Sequence, residues 1–263
     1  MNHKLKRLRS ILKSYRGLIL AYSGGIDSTF LMKVASDVLK DRLLCITATS
    51  PLYPKDEIRL AKQIAQNLGV KHKVIHSHEL TDQKFFNNPP TRCYYCKKEL
   101  FGRLKNIAKG YSYEVADGTN YSDRKDFRPG AQAAQELGIK SPLAEAKITK
   151  EEIRKFSKKL RLPNWNRPAM ACLASRIPYS KKITLTTLKT IERGERFLKK
   201  LGFDQVRVRH HDTIARIELP SAKFTSAIKR HKEIVQYFQK LGYQFITIDL
   251  DGYQMGSMNK LLE

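Results

Sequence analysis

The sequence predicts an α/β protein, built as a parallel sheet with helices on both faces and followed by a smaller α+β module. Three observations carry this. Apolar runs of strand length alternate with segments of helical period through the first half of the 263 residues, the pattern of parallel strands joined by crossover helices. A glycine-rich loop, Ser23 to Thr29, sits where the first strand turns into a helix. Beyond residue 180 the order becomes helix, two strands, helix, strand, which suits a separate compact layer. We place the first domain at residues 1–180 and the second at 181–263.

Taken in order, Leu5, Leu8, Ile11, Leu12 and Tyr15 fall at helical spacing in a basic N-terminal stretch. No uninterrupted apolar segment follows, which argues against a signal peptide. Gly17–Tyr22 reads as a buried strand, Ser23–Ser28 as a loop and Ser28–Leu39 as a helix. Leu43–Thr47 is the next strand, Lys55–Leu68 a helix closed by Gly69, and His72–His76 a third strand. Arg92 to Lys97 opens a helix that continues to Ala108, and Tyr113–Ala116 reads as a strand. Asp117–Gly130 is polar and turn-rich. Helices over Ala131–Leu137 and Lys150–Leu160 flank a stop at Ser141-Pro142-Leu143, and Pro163–Ser180 reads as an ordered loop. The second module reads as helix Leu185–Leu201, strands Gln205–His210 and Thr213–Glu218, helix Ala222–Leu241 and strand Gln244–Ile248.

Composition narrows the class. At 41% hydrophobic residues the chain can bury a core, and it has no run of about 18 apolar residues that would span a membrane. The expectation is a cytoplasmic protein. The net charge of +25 suits a polyanionic substrate or RNA. A lysine-rich composition or a surface adapted to high temperature accounts for it equally, so charge alone decides nothing.

The loop Ser23-Gly24-Gly25-Ile26-Asp27-Ser28-Thr29 is a pyrophosphate cradle by its chemistry. Two glycines allow a tight turn and close approach of backbone to ligand. The following helix aims free N–H groups and its positive end at the loop, and three hydroxyls add donors. The loop lacks the lysine of a P-loop, so γ-phosphate transfer is not expected.

Cys93 and Cys96 form a Cys-x-x-Cys at a helix start, and Cys172 lies far along the chain. A dithiol pair, a zinc site, an iron–sulfur cluster with one open iron and plain core cysteines all remain open on spacing. Cys45 sits inside an apolar strand and reads as core.

Ser-Gly-Gly-x-Asp-Ser after a buried strand resembles the PP-loop of ATP pyrophosphatases, with their adenine nucleotide alpha hydrolase-like fold. That superfamily includes GMP synthetase, asparagine synthetase and several tRNA-thiolating enzymes. It implies cleavage of ATP between the α- and β-phosphates, with Asp27 near the Mg²⁺–pyrophosphate.

Further blocks narrow the likeness: Asp117-Gly118-Thr119-Asn120, Phe127-Arg128-Pro129-Gly130, Ser141-Pro142-Leu143, Ala169 to Tyr179 and Arg207-Val208-Arg209. Together they resemble the LarE family of ATP-dependent sulfur transferases over nearly the whole chain. The resemblance implies synthesis of a nickel-pincer nucleotide cofactor. Carboxylates of an anionic pyridinium mononucleotide are adenylated and become thiocarboxylates, and sulfide or another sulfur donor supplies the sulfur. It also implies a homo-oligomer. In one branch a single cysteine, matching Cys172, gives up its sulfur. Cys93 and Cys96 depart from that branch and resemble the other, in which three cysteines hold a [4Fe–4S] cluster.

The likeness assigns catalysis to Cys172, Asp27 and Arg176, with Ser175 beside them. It assigns Ser23, Gly24, Gly25, Ser28, Thr29, Asp117, Gly118 and Asn120 to ATP, and Arg207 and Arg209 to the anionic substrate. Glu195 reads as either a substrate-site acid or a salt-bridge partner. The histidines show no clustering with the cysteines. A cluster-dependent tRNA thiolase is the nearest rival, but no flanking zinc-finger cysteines are present. A non-catalytic nucleotide- or RNA-binding regulator is the other, and an intact Asp27 with three cysteines argues against it.

Overall fold

The computed structural model describes residues 3–125, 129–168 and 171–254. Phe127 and Arg128, and Ala169 and Met170, of the blocks named above lie outside the described residues. The chain divides into two compact units. One comprises residues 1–82 and 91–170, the other residues 83–90 and 171–263.

The first unit contains α1 (His3–Lys13), β1 (Leu18–Ala21), α2 (Ile26–Leu39), β2 (Leu43–Thr49), α3 (Lys55–Asn67), β3 (His72–His76), α4 (Arg92–Lys109), β4 (Glu114–Ala116), α5 (Pro129–Glu136) and α6 (Lys150–Lys159). Its four strands are all parallel, in the order β3-β2-β1-β4. The expected α/β class with a parallel sheet is therefore what the chain forms. Both faces are covered, which is why the central strand β1 is continuously apolar rather than alternating. Leu18 and Leu20 of β1 pack with Leu8, Leu12, Phe30, Ile64 and Ile153. Ile19, between them, packs on the opposite face with Ile46, Leu100, Phe101 and Leu104. Cys45 is fully buried in the first of these cores, and burial pushes its thiol far above the ordinary range.

Two boundaries differ from the sequence expectation in ways that matter. Helix α2 starts at Ile26, not Ser28, with Gly25 as its N-cap. Asp27 and Ser28 thus lie in the first helical turn. Ser141-Pro142-Leu143 is not a plain stop, since Pro142–Glu145 forms one helical turn with proline at its start, where the missing N–H costs nothing.

The second unit holds a short helix (Gln83–Phe86), a 3₁₀ turn (Leu173–Arg176), α7 (Leu185–Lys200), β5 (Arg207–His211), β6 (Ile214–Glu218), α8 (Phe224–Lys229), α9 (His231–Lys240) and β7 (Phe245–Ile248). β5 and β6 are antiparallel, and β6 and β7 parallel. Leu198, Val208, Ala215, Ile217, Ile234 and Phe238 form its core. The helix expected over Ala222–Leu241 is broken at Arg230. Apolar residues from both halves, Ala227 and Ile234, enter the same core, so periodicity carries no sign of the break. Among the described residues no helix is long and apolar enough to cross a membrane.

Helix α6 begins with a reciprocal cap. Thr149 Oγ1 accepts from the Glu152 N–H at 3.3 Å, and the Glu152 carboxylate accepts from the Thr149 N–H at 2.9 Å. Thr149→Ala is expected to lower stability by about 1 kcal/mol, read as a shifted urea midpoint with unchanged slope.

Candidate active site

The sheet order puts β1 at a switch point. From β1 the chain winds outward through β2 to β3, then returns to place β4 on the other side. In open α/β sheets ligands bind outside the strand C-termini at such a point. Here the loop after β1 and the loop after β4 meet.

The first loop is self-bonded. Ser28 Oγ lies 3.1 Å from both Ser23 Oγ and the Gly25 carbonyl, to which it donates. The first intrahelical bond of α2 runs from the Thr29 N–H to the Gly25 carbonyl at 2.9 Å. The N–H groups of Ile26, Asp27 and Ser28 precede it and have no intrahelical acceptor, which makes this helix end an anion site. Gly24 has φ +76°, and a Cβ there would lie 3.0 Å from Ala61 Cβ. Both conditions demand glycine.

The second loop closes on the first. A Cβ on Gly118 would lie 3.0 Å from the Ser28 nitrogen, so only glycine lets this loop pass without covering that amide. Asp117 organises it: Oδ1 accepts from the Thr119 N–H (3.1 Å) and the Ser141 hydroxyl (2.8 Å), and Oδ2 from the Thr119 hydroxyl (2.6 Å). Asn120 is fully buried, and its Oδ1 accepts from the Ser122 N–H at 2.9 Å.

Two residues that sequence reasoning missed complete the first site. The Lys150 ammonium sits on Asp27 Oδ2. Asn164 donates to the Gly24 carbonyl at 2.8 Å and to Thr29 Oγ1 at 2.9 Å. Both are more than 120 residues from their partners, and no spacing rule reaches that far. Tyr22, whose hydroxyl lies 3.4 Å from Thr29 Oγ1, is pushed up to about 12 by burial and stays protonated.

The second unit carries Cys172, half-buried, just before the 3₁₀ turn. Its backbone is clamped. Arg176 Nη1 donates to the Ala171 carbonyl (2.7 Å), the Cys172 carbonyl (2.9 Å) and Ser175 Oγ (2.9 Å). The same guanidinium forks onto Glu195 through Nε (2.8 Å) and Nη2 (3.0 Å). Arg176 is 0% exposed. Assigned by resemblance to the reacting groups, it is committed in this structure to the backbone that presents Cys172. Glu195 is a salt-bridge partner in this structure, and its Oε1 also accepts from the Val208 N–H at 3.1 Å.

Arg207 and Arg209 share one strand face, and both are buried at 5% exposure. Arg209 forks onto Glu218 at 2.8 and 2.7 Å and donates to the Ser175 carbonyl at 2.7 Å. Arg207 donates to the Val206 carbonyl at 2.8 Å and stacks over the Tyr253 ring. Burial and then the neighbouring Arg176 charge hold Arg207 below the usual arginine range.

Cys93 and Cys96 lie in the first turns of α4, exposed and half-buried, and neither is in a disulfide. Three such thiols are a donor set that suits iron–sulfur ligation. Among the described residues, however, no group of three or more His, Cys, Asp or Glu side chains is gathered to hold a metal ion.

Burial works against the charge of Glu195, but Arg176 outweighs it and holds the carboxyl below its ordinary 4.5. A carboxyl depressed on folding contributes stability that is complete above its unfolded value and is lost as pH falls through the folded one. Glu195→Gln is expected to cost about 3–5 kcal/mol at neutral pH, because it strands a buried guanidinium. The difference from wild type should shrink in the acid range below 4.5. Urea titrations at both pH values check this.

Comparison with known proteins agrees with this geometry. Residues 2–108 match the family model described as NAD synthase. A protein named pyridinium-3,5-bisthiocarboxylic acid mononucleotide synthase, from Lactiplantibacillus plantarum, is 37% identical over 98% of this chain and 95% of its own. An uncharacterized protein of Synechocystis sp. is 43% identical over 100% and 99%. Another, from Methanocaldococcus jannaschii, is 34% identical over 95% and 97%. With a phosphate cradle at the switch point of a parallel sheet and a near full-length match of this kind, the chain belongs to the LarE family of ATP-using sulfur transferases.

Proposed function

We propose that this protein activates a carboxylate of an anionic pyridinium mononucleotide with ATP and converts it to a thiocarboxylate, in the making of a nickel-pincer nucleotide cofactor. The observation that carries this is the match along nearly the whole chain to a protein named for that synthesis. In the first step a substrate carboxylate oxygen attacks the α-phosphorus of ATP and pyrophosphate leaves. In the second a hydrosulfide adds to the acyl carbon, and AMP departs with the electron pair of the broken C–O bond. Adenylation is needed because a free carboxylate is a poor electrophile.

The geometry supports the following assignment of roles. Ser23, Gly24, Gly25, Ser28, Thr29 and the open amides of α2 hold the pyrophosphate. Asp27 serves its Mg²⁺. The Lys150 ammonium neutralises Asp27 and would be available to a phosphate oxygen if that carboxylate held Mg²⁺. Asp117, Gly118 and Asn120 border the nucleotide. In the second unit, Arg176 and Arg209 act by holding the Cys172–Ser175 backbone. Arg207, buried on the strand face it shares with Arg209, is assigned to contact the anionic substrate. We assign substrate recognition and the contacts of a homo-oligomer to this unit.

For sulfur, we assign Cys93, Cys96 and Cys172 to a [4Fe–4S] cluster. Held by three thiolates, such a cluster keeps one iron open to carry sulfide. Cys93 and Cys96 belong to the first unit and Cys172 to the second. Cys45 is unsuited to ligation, being buried in an apolar core with a thiol that resists ionisation.

Asp27→Asn is expected to stay folded by circular dichroism while pyrophosphate release falls about 100-fold or more, the scale of losing a key electrostatic group. Near wild-type release would sink the adenylation reading. Under anoxic conditions with ATP, Mg²⁺ and sulfide, the enzyme should make more than one product per chain and keep Cys172 intact by mass spectrometry. Cys93→Ala, Cys96→Ala and Cys172→Ala should each abolish the visible absorption of the reconstituted protein, and Cys45→Ala should keep it. One product per chain, with loss of the mass of H₂S at Cys172, would overturn the cluster route and leave adenylation standing.

A further inference from the structure

Asn164 is a polar side chain with 1% exposure, deep beneath the loop after β1. It stands in the turn that follows α6. Leu162 N–H bonds the Ser157 carbonyl at 3.0 Å, and Trp165 N–H the Leu162 carbonyl at 3.2 Å. The Arg167 guanidinium anchors the same turn to Glu57 of α3 at 2.9 Å. A rigid turn therefore delivers Asn164 to the loop.

Its orientation is set by chemistry. A carbonyl can only accept, so the group facing the Gly24 oxygen at 2.8 Å must be the Asn164 Nδ2. The second proton of that nitrogen serves Thr29 Oγ1 at 2.9 Å. Asn164 Oδ1 is buried and has no hydrogen-bond partner. The fold therefore tolerates an unsatisfied acceptor there to keep the donor in place.

The consequence lies on the other side of the peptide. In a trans peptide the C=O and the following N–H point in opposite directions. Drawing the Gly24 carbonyl inward turns the Gly25 N–H outward. Among the described residues, that N–H donates to Ser23 Oγ over a long 3.3 Å. Gly24, at φ +76° and pressed against Ala61, is otherwise free to let this peptide rotate, because glycine adopts both signs of φ.

We propose that Asn164 is a positioning residue of the phosphate cradle, one that locks the Gly24–Gly25 peptide so that the Gly25 N–H faces the terminal phosphates of the nucleotide. The inference rests on the loop being a pyrophosphate site. It adds that the site is preorganised from below by a side chain that never touches the ligand.

The test uses the full-length protein and three probes, Mg²⁺·ATP, inorganic pyrophosphate and AMP, with affinities read by calorimetry. Asn164→Ala removes the donor, and Asn164→Asp keeps the shape but sets an oxygen against the Gly24 carbonyl. Both should weaken ATP and pyrophosphate about tenfold, the scale of one hydrogen bond, and leave AMP unmoved. General loosening would weaken AMP and pyrophosphate alike, and that result would overturn the proposal, as would wild-type pyrophosphate affinity in both variants. Arg167→Ala, which loosens the turn but keeps the amide, should change pyrophosphate affinity less than either. If neither Asn164→Ala nor Asn164→Asp folds, Asn164→Gln, which keeps the amide but moves its nitrogen off the Gly24 carbonyl by one methylene, tests the same lock, and wild-type pyrophosphate affinity there would overturn it. Wild-type protein that binds neither ATP nor pyrophosphate would instead refute the pyrophosphate site itself, and the positioning role with it.

Discussion

The chain must pass from β1, which is buried on both faces, into α2 within one short loop. The first unit is arranged around that demand. β1 is central in the sheet, so its end is held by neighbours on either side. The chain then has four residues, Tyr22 to Gly25, in which to leave the strand and enter the helix. Only a positive φ at Gly24 makes the turn. The space beside Gly24 is taken by Ala61 and the space beside Ser28 by Gly118, so the small residues of three separate elements answer to one loop. The hydroxyls of Ser23 and Ser28 bond one another within it, which orders the cradle before anything binds.

The second unit solves a different problem with buried charge. Arg176–Glu195 and Arg209–Glu218 are forked ion pairs with almost no exposure. Such pairs are poor sources of net stability, because desolvation offsets most of their attraction. Their use here is directional. Each arginine spends its remaining nitrogen on carbonyls of the Ala171–Ser175 backbone. Clamping the backbone of this loop, rather than covering the thiol of Cys172, leaves that side chain half-open.

Much of the architecture was legible along the chain. Leu18–Ala21 and Leu43–Thr49 are apolar or β-branched and bounded by turn residues, His72–His76 carries Val74 and Ile75 between polar residues, and all three are strands. The break at Arg230 was not legible, because apolar residues on both sides of it enter one core. The cradle was legible for a local reason: its glycines, hydroxyls and acid are consecutive, and the helix that completes it follows directly.

What sequence alone determined is the chemistry available: a phosphate loop, one acid within it, three dispersed thiols and arginines alternating on a strand. What tertiary structure decided is how those groups are employed. Lys150 and Asn164 serve the loop from more than 120 residues away, and Arg176 and Arg209 hold backbone where the sequence suggested contact with substrate. Side-chain identity sets what a group can donate or accept, but its partner is whichever group the packed fold brings within about 3 Å. That distance is a property of how helices and strands stack, and it leaves no period or spacing in the chain.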